Sequence, residues 1–211
     1  MLPFKDLLQK YNINITGVVH LGGSTGQERQ EYDDVTNGKV IWVEAIPSVY
    51  EELKNNLIPY PNQIALLGCL SNVDDKYIDF NISNNESQSS SIFELGLHKD
   101  VHPEVHYVDK ITVKTNKFDT LIKLHNVDIE GCNFLNTDLQ GAESLAIEGM
   151  GDLIKQFDWV WSEVNKKETY LGCMTIEDFD YFMLQRGFER VETGNWVGDI
   201  WTDALYKRVY K

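Results

Sequence analysis

Asp138 closes the apolar-rich run Asn133-Phe134-Leu135-Asn136-Thr137-Asp138, and Glu163 and Asn165 close another that begins near Asp158. Open α/β sheets bind ligands at the carboxyl ends of their strands, so these three side chains are candidates for the floor of an active site. Strand alternation puts Trp159, Trp161, Glu163 and Asn165 on one face and Val160, Ser162 and Val164 on the other. Carboxylates on neighbouring strands repel. Either one carries a raised pKa and serves as a general base, or an intervening cation offsets the repulsion. Asp138, Glu163 and Asn165 form a sensible oxygen set for Mg2+, but oxygen ligands have no diagnostic spacing, so a divalent ion is admitted rather than favoured. Glu143, just beyond Asp138, reads as stabilising the start of the next helix.

A second constellation lies nearer the amino terminus. Gly17-Val18-Val19-His20-Leu21-Gly22-Gly23-Ser24-Thr25-Gly26 reads as a buried strand running into glycines whose missing side chains let backbone approach a ligand. A nucleotide-type ligand is implied, although Gly22, Gly23 and Gly26 break the G-x-G-x-x-G dinucleotide spacing. Glu44 follows Ile41-Trp42-Val43, 18 residues after Gly26, where such a sheet places an acid to accept ribose hydroxyls. Steric need alone explains many turn glycines, and an acid can simply end a strand; the two together say more. His20 is either a satisfied core histidine, a cofactor contact or a general base. His98, His102 and His106 recur at every fourth residue, which would align three imidazoles for zinc on a continuous helix. Pro103 breaks that helix and leaves them in a loop beside a cleft or at the surface. Trp196 and Trp201, with Asp199 between, either offer aromatic faces and a carboxylate to a sugar or cap the core.

These residues need a parallel sheet to position them. Short apolar runs alternate with helical patterns: a lead-in helix at Pro3 to Tyr11, a strand at Gly17 to Leu21, a helix near Gln27 to Tyr32, and strands at Val40 to Val43 and Ile64 to Leu70. Between the last two, Pro47 suits a first helical turn, with Val49, Leu53 and Leu57 on one face. Residues 76–116 read as an excursion, with strands at Tyr77 to Ile82 and Ile111 to Thr115 around a Ser/Asn-rich loop. Phe118 to Leu124 reads as a helix, Phe134 to Leu139 and Asp158 to Val164 as core strands. Thr175 with Asp178 resembles a capping box for a helix from Ile176 to Arg186, ended by Gly187. Phe188 to Thr193 and Asp203 to Val209 read as an antiparallel hairpin at a sheet edge.

The chain has 211 residues, which suits one domain over 1–211 with residues 1–16 as a helical lead-in. Thirty-three acidic residues against 19 basic give a net charge of −14, which repels polyanions and argues against nucleic acid as a partner. Cys69, Cys132 and Cys173 are odd in number, with no CxxC pair, and fit a reducing compartment. The start Met1-Leu2-Pro3-Phe4-Lys5-Asp6 lacks a signal-peptide pattern and no apolar run is long enough to span a membrane, so a cytoplasmic location is expected.

Several blocks, in order, resemble the FkbM-type methyltransferase family over about Gly17 to Glu192. They are Val18 to Gly26 for its glycine motif, Val43-Glu44-Ala45-Ile46-Pro47 for its acid-then-proline block, and Ser89-Ser90-Ser91-Ile92 for its serine pair. Phe118-Asp119-Thr120-Leu121, Asp138-Leu139-Gln140-Gly141-Ala142-Glu143 and Glu163-Val164-Asn165 complete the series. The resemblance implies a Rossmann-like class I methyltransferase fold: a mostly parallel seven-stranded sheet with an antiparallel C-terminal hairpin and helices on both faces. It implies S-adenosylmethionine as cofactor, with His20, Gly22, Gly23, Ser24, Thr25 and Gly26 beside its methionine part and Glu44 and Ala45 at the ribose. Cys69, Leu70 and Ser71 would lie near the adenine, and Asp138 beside the reacting group. The chain departs from the family at His20, usually aspartate, Gly23, usually alanine, Ser24, usually asparagine, and Asn136, usually lysine.

The expectation is methyl transfer by direct displacement to a hydroxyl of a sugar, glycan or other small molecule. Asp138 is the first candidate base, followed by Glu163 and His20, with Ser90, Ser91, Asn165 and Trp196 contacting the acceptor. The rivals are a nicotinamide-dependent oxidoreductase, against which the broken glycine spacing speaks, and a cofactor- or sugar-binding module without catalysis. The sequence leaves the acceptor and the oligomeric state open.

Overall fold

The computed structural model describes residues 3–209, so residues 1, 2, 210 and 211 of the expected domain lie outside the described part. The chain runs α1 (Phe4–Tyr11), β1 (Val18–Leu21), α2 (Arg29–Val35), β2 (Val40–Glu44), α3 (Pro47–Asn56), β3 (Gln63–Leu67), β4 (Cys69–Leu70), β5 (Tyr77–Ser83) and α4 (His98–Val101). It continues with β6 (Tyr107–Asn116), α5 (Phe118–Leu124), β7 (Phe134–Thr137), α6 (Glu143–Met150), β8 (Trp159–Asn165), α7 (Ile176–Leu184), β9 (Phe188–Thr193) and β10 (Trp201–Arg208). No helix among the described residues is long and apolar enough to cross a membrane.

Seven strands form one sheet in the order β3-β2-β1-β7-β8-β10-β9. The first five are parallel, and β10 runs antiparallel between β8 and β9. All residues of β1 and β2 are buried, because helices cover both faces of the sheet. Alternation then sorts the side chains. Val19, Leu21, Ile41, Val43, Leu135 and Val160 face Phe118, Leu121, Ile147, Phe179 and Met183. Val18, Val40, Trp42 and Phe134 face Leu7, Tyr32, Leu53 and Leu57 on the other side. Each large side chain so buried is worth roughly 1.5–3 kcal/mol against exposure.

The topology fixes the site. From β1 the chain moves outward to β2 and β3, then returns to β7 on β1's other side, which opens a crevice at the carboxyl ends of β1 and β7. Val43, Leu21, Thr137 and Ser162 stand in one register line across β2, β1, β7 and β8. The next residues on those strands are Glu44, Gly22, Asp138 and Glu163, and Asp203 of β10 pairs with Glu163.

Three expectations are adjusted. The run Ile64 to Leu70 divides at Gly68, whose N–H donates to the Glu44 carbonyl while Leu121 fills the place of a side chain. Beyond it, β4 joins β6 and β5 in a separate three-stranded sheet, so the excursion has a sheet of its own. The helix expected near Gln27 starts at Arg29, which leaves Gln27 and Glu28 in the loop ahead of it. The C-terminal hairpin forms with its second strand inside and β9 at the edge, and Thr175 caps α7 by accepting the Asp178 N–H.

Candidate active site

A cleft of about 660 Å3 opens over the carboxyl ends of β2, β1, β7 and β8 and continues under the excursion. Its size is that of a small-molecule site. At one end Glu44 is buried, with Oε2 accepting the Ser24 N–H at 2.9 Å and Oε1 accepting the Ile46 N–H at 2.8 Å. Burial pushes its pKa up to about 7 despite these two donors. Ser24 is held at φ 44°, a left-handed conformation that presents its N–H to the acid. Gly22, at φ 86°, lies so close to β7 that a Cβ would fall 1.7 Å from the Asp138 carbonyl oxygen. Ala45, Ile46, Cys69 and Leu70 complete this end with an apolar wall.

At the centre, one amide ties the two carboxyls together: Gln140 Nε2 donates to Asp138 Oδ1 and, at 3.3 Å, to Glu163 Oε2. Gln140 Oε1 accepts the Tyr170 hydroxyl. Asp138 is exposed to the cleft, not buried in the core; desolvation by the surrounding cleft walls pushes its pKa up to about 7, with Gln140 opposing the shift and Asp203 and Glu28 adding to it. Burial also raises Glu163 well above the usual carboxylate range, with Asp138, Glu143 and Asp203 as charged neighbours. Glu143 Oε1 accepts the N–H groups of Leu139 and Gly141 and shapes the turn that aims Asp138.

His20 shows how a strand histidine can be both core and site. It stacks on Trp42 at 4.6 Å, and its Nδ1 lies 3.0 Å from the Tyr32 hydroxyl, which accepts Asn136 Nδ2 at 2.8 Å. Tyr32 therefore directs its hydrogen to Nδ1, leaving Nε2–H on the ring that lines the cleft. Burial lowers the His20 pKa to about 3, so it remains neutral near pH 7 and is a poor base.

The cleft gathers His20, Gly22, Ser24, Glu44, Ala45, Cys69, Leu70, Ser90, Asp138 and Glu163. Other expected site residues stand away from it. Gly23 packs on Trp42 and Gly26 on Leu53, the Thr25 carbonyl holds Asn56, and the Ser71 N–H bonds Asn116. Ser91 ties the excursion to the Gln140 carbonyl, and Trp196 packs against the core beneath Lys166. Asn165 borders a separate hollow of about 10 Å3 with Glu143 and Glu163. The oxygen set Asp138, Glu163 and Asn165 is thus not gathered around one point. No group of three or more His, Cys, Asp or Glu side chains among the described residues is placed to hold a metal ion.

Gln140, Tyr170, Ser89, Glu28 and Asp203 join the cleft without having been singled out. Asp203 could have been found by pairing the last strand with Glu163. Of the three histidines expected in a loop, His98 instead opens α4; it and His102 line the cleft, and His106 is exposed.

A mostly parallel seven-stranded sheet with a terminal antiparallel hairpin and a crevice at the switch point is the class I S-adenosylmethionine-dependent methyltransferase fold. Solved structures share the fold. Fibrillarin from Aeropyrum pernix, with natively bound S-adenosyl-L-methionine, matches with a TM-score of 0.53 and 11% identity over 90% of this chain and 66% of that one. Magnesium protoporphyrin IX methyltransferase from Synechocystis PCC 6803, also with S-adenosylmethionine bound, matches with a TM-score of 0.53 and 12% identity over 97% and 75%. Fibrillarin from Methanococcus jannaschii, a pre-rRNA processing protein, matches with a TM-score of 0.52 and 12% identity over 94% and 68%. No curated protein sequence matches the chain. The family model of the methyltransferase FkbM domain matches residues 24–190, and the chain belongs to that family.

Proposed function

We propose that the chain is an O-methyltransferase acting on a hydroxyl of a sugar, glycan or other small molecule, with Asp138 taking the hydroxyl proton. The observation that carries this reading is the carboxyl pair of Asp138, which is exposed to the cleft, and Glu163, which is buried, bridged by one Gln140 amide in the middle of the cleft. A carboxyl whose pKa is raised to about 7 is a stronger base than an ordinary aspartate and is still substantially ionised near neutrality. Glu163, whose pKa burial also raises, is the second candidate.

The other end of the cleft suits the methyl donor. Both Glu44 oxygens retain a lone pair for a ribose hydroxyl beside their amide donors, and Ile46, Cys69 and Leu70 offer an apolar surface for a base. When bound, S-adenosylmethionine supplies an electrophilic methyl on a positively charged sulfur. The chain's own part is to hold the hydroxyl in line and receive its proton, and such positioning is worth roughly 7–11 kcal/mol over a free encounter. Among the described residues, the cleft lining includes six carboxylates and no Lys or Arg, which supports a small neutral acceptor over a polyphosphate chain. Three free thiols support a cytoplasmic setting.

Asp138→Asn tests the base. The variant is expected to bind S-adenosylhomocysteine with near wild-type affinity by calorimetry while turnover falls by roughly 10²–10⁴-fold. Unchanged turnover would remove Asp138 from the mechanism.

A further inference from the structure

The chain has five tryptophans, and four have their rings occupied. Trp42 stacks on His20 and donates to Gln63, and Trp159 lies beside Tyr11 with Lys207 over it. Trp161 meets Phe4 edge to face, and Trp196 carries Lys166. Trp201 differs. Among the described residues its indole makes no hydrogen bond, ring contact or cation contact, and it joins none of the apolar clusters of the core. It is half-buried and borders the cleft. A large apolar side chain left open toward a ligand-sized cleft is the informative kind of exposure.

The backbone beneath the indole is fixed. Trp201 opens β10, pairs with Asn165 at the end of β8, and its carbonyl accepts the Val197 N–H at 2.8 Å. Gly198 makes the turn between them at φ 56°, so close to α4 that a Cβ would fall 2.4 Å from Val101 Cγ1. Trp201 thus stands on a strand end clamped between β8 and the excursion, and little backbone freedom remains to be lost when a ligand arrives.

Register relates this indole to the chemistry. Asp203, two residues on, pairs with Glu163, and the preceding residue of β8, Ser162, pairs with Thr137, which precedes Asp138. Trp201 and Asp203 share one face of β10, and Glu163 shares it across the pair. Two strand spacings and two residues of rise put the Trp201 backbone roughly 12 Å from that of Asp138. One six-membered ring with a contact on either side covers that span, with Glu163 and Asp203 between in register.

The lining says what ring suits it. The excursion supplies Asn85, Ser87, Gln88 and Ser90, neutral groups that exchange hydrogen bonds with hydroxyls. Carboxyls take hydroxyl hydrogens, whereas an indole covers a patch of C–H groups. A pyranose has both, with hydroxyls around its rim and C–H groups gathered on a face.

We propose that Trp201 is the acceptor platform of the cleft, its indole packing on the C–H face of a neutral pyranose whose reacting hydroxyl lies at Asp138. The proposal rests on the methyl-transfer reading above and narrows its acceptor to a cyclic sugar. It also gives the sugar contact to Trp201 in place of Trp196, which packs against the core. An ammonium-bearing sugar is the competing ligand, because a cation also sits well on an indole. The donor already brings a positive sulfur to these acids, so a neutral ring is the better match.

Methyl transfer from labelled S-adenosylmethionine is measured with methyl glucoside, methyl galactoside and methyl mannoside. Glucitol, an open chain of hydroxyls, and glucosamine, a ring with an ammonium, are set against them. At least one methyl pyranoside is expected to be methylated, glucitol not, and glucosamine no better than the pyranosides. Trp201→Leu keeps apolar bulk on the strand without a ring, and Trp201→Phe keeps a smaller ring. The KM for the methylated pyranoside is expected to rise about tenfold in Trp201→Leu and less in Trp201→Phe, with S-adenosylhomocysteine affinity by calorimetry unchanged in both. The same pyranoside is expected to shift the tryptophan fluorescence of the wild type much more than that of Trp201→Leu. An unchanged KM in Trp201→Leu, glucitol methylated as well as the pyranosides, or transfer to glucosamine alone would overturn the proposal. Loss of S-adenosylhomocysteine binding in both variants would mark Trp201 as a structural residue and overturn it too. Binding of S-adenosylhomocysteine by the wild type with no pyranoside methylated would overturn the sugar platform and leave the donor reading standing. Failure of the wild type to bind S-adenosylhomocysteine would remove that reading, and this proposal with it.

Discussion

Two backbone amides hold Glu44 before any ligand arrives, and this sets how it can serve one. The acid is already aimed, so little side-chain entropy is lost on binding, but burial holds its pKa near 7 and a protonated carboxyl has fewer lone pairs to offer. Affinity for S-adenosylhomocysteine is therefore expected to rise as pH increases through 7. Glu44→Gln sets an NH2 group against a backbone N–H and is expected to weaken binding by roughly tenfold to 100-fold and to remove the pH dependence attributable to this acid. Calorimetric titrations at pH 6 and pH 8 on both proteins check this, and equal affinities for the two would show that Glu44 does not touch the ligand. Glu44 was legible in the sequence because an acid at the end of a buried strand has few other tasks. Gly23 and Gly26 are read less directly, because absence of a side chain suits a core ring as well as a ligand, and Trp42 and Leu53 stand where their side chains would be. The part played by Gln140 is invisible in the sequence, since it comes from a left-handed backbone (φ 52°) that turns its amide between two strands.

Among the elements, the excursion is the part that must be held in place, and Ser91 does much of the holding. Its hydroxyl donates to the Gln140 carbonyl at 2.8 Å and accepts the Phe93 N–H at 3.0 Å, while its backbone pairs with Asn81. This links the Ser89–His98 wall to the turn that carries Asp138. Ser91→Ala is expected to cost about 1–3 kcal/mol in urea unfolding, because it leaves a carbonyl and an amide without a partner. S-adenosylhomocysteine affinity is expected to be preserved, and turnover to fall through misplacement of the acceptor wall; equal losses of both would mean that the excursion supports the whole cleft. The parallel strands were readable because apolar runs bounded by glycine or acids leave few alternatives, and five of them lie close to their expected places. Less readable was the division at Gly68: the run Ile64 to Leu70 is locally one strand, and only the packing of Leu121 and the pull of β6 separate its end. The partners of His98 were equally hidden, since they come from residues up to 72 positions away that only the fold unites.

At the scale of the molecule, the cleft concentrates negative charge that the bare protein is better off neutralising. The buried Glu44 and Glu143, and Asp138 at the cleft surface, have pKa values raised to about 7, and buried Glu163 is raised as well, each first by desolvation. A group raised above its unfolded value contributes stability that is complete below the unfolded pKa, near 4 for these acids, and is lost as pH rises through the folded one. His20 acts in the opposite sense: its pKa is depressed to about 3, so its contribution is complete above about 6.5 and is lost as pH falls. Exposed pairs such as Asp199 with Lys166 and Lys167 have lowered carboxylate pKa values and lose their contribution only at still lower pH. Between pH 5.5 and 8 the four acids outweigh the histidine, and the melting temperature of the free protein is expected to fall by several degrees. Glu163→Gln removes one buried charge and should flatten this slope, raising the melting temperature at pH 8 more than at pH 5.5. The donor should act in the same direction. S-adenosylmethionine carries a positive sulfur and S-adenosylhomocysteine does not, so the former's additional stabilisation over the latter should be larger at pH 8, when the acids are ionised, than at pH 5.5. Thermal melts with each ligand at matched saturation measure this difference. A free-protein melting temperature that climbs from pH 5.5 to 8 would mean that the four acids are ionised without strain, and would remove the basis for a raised pKa at Asp138.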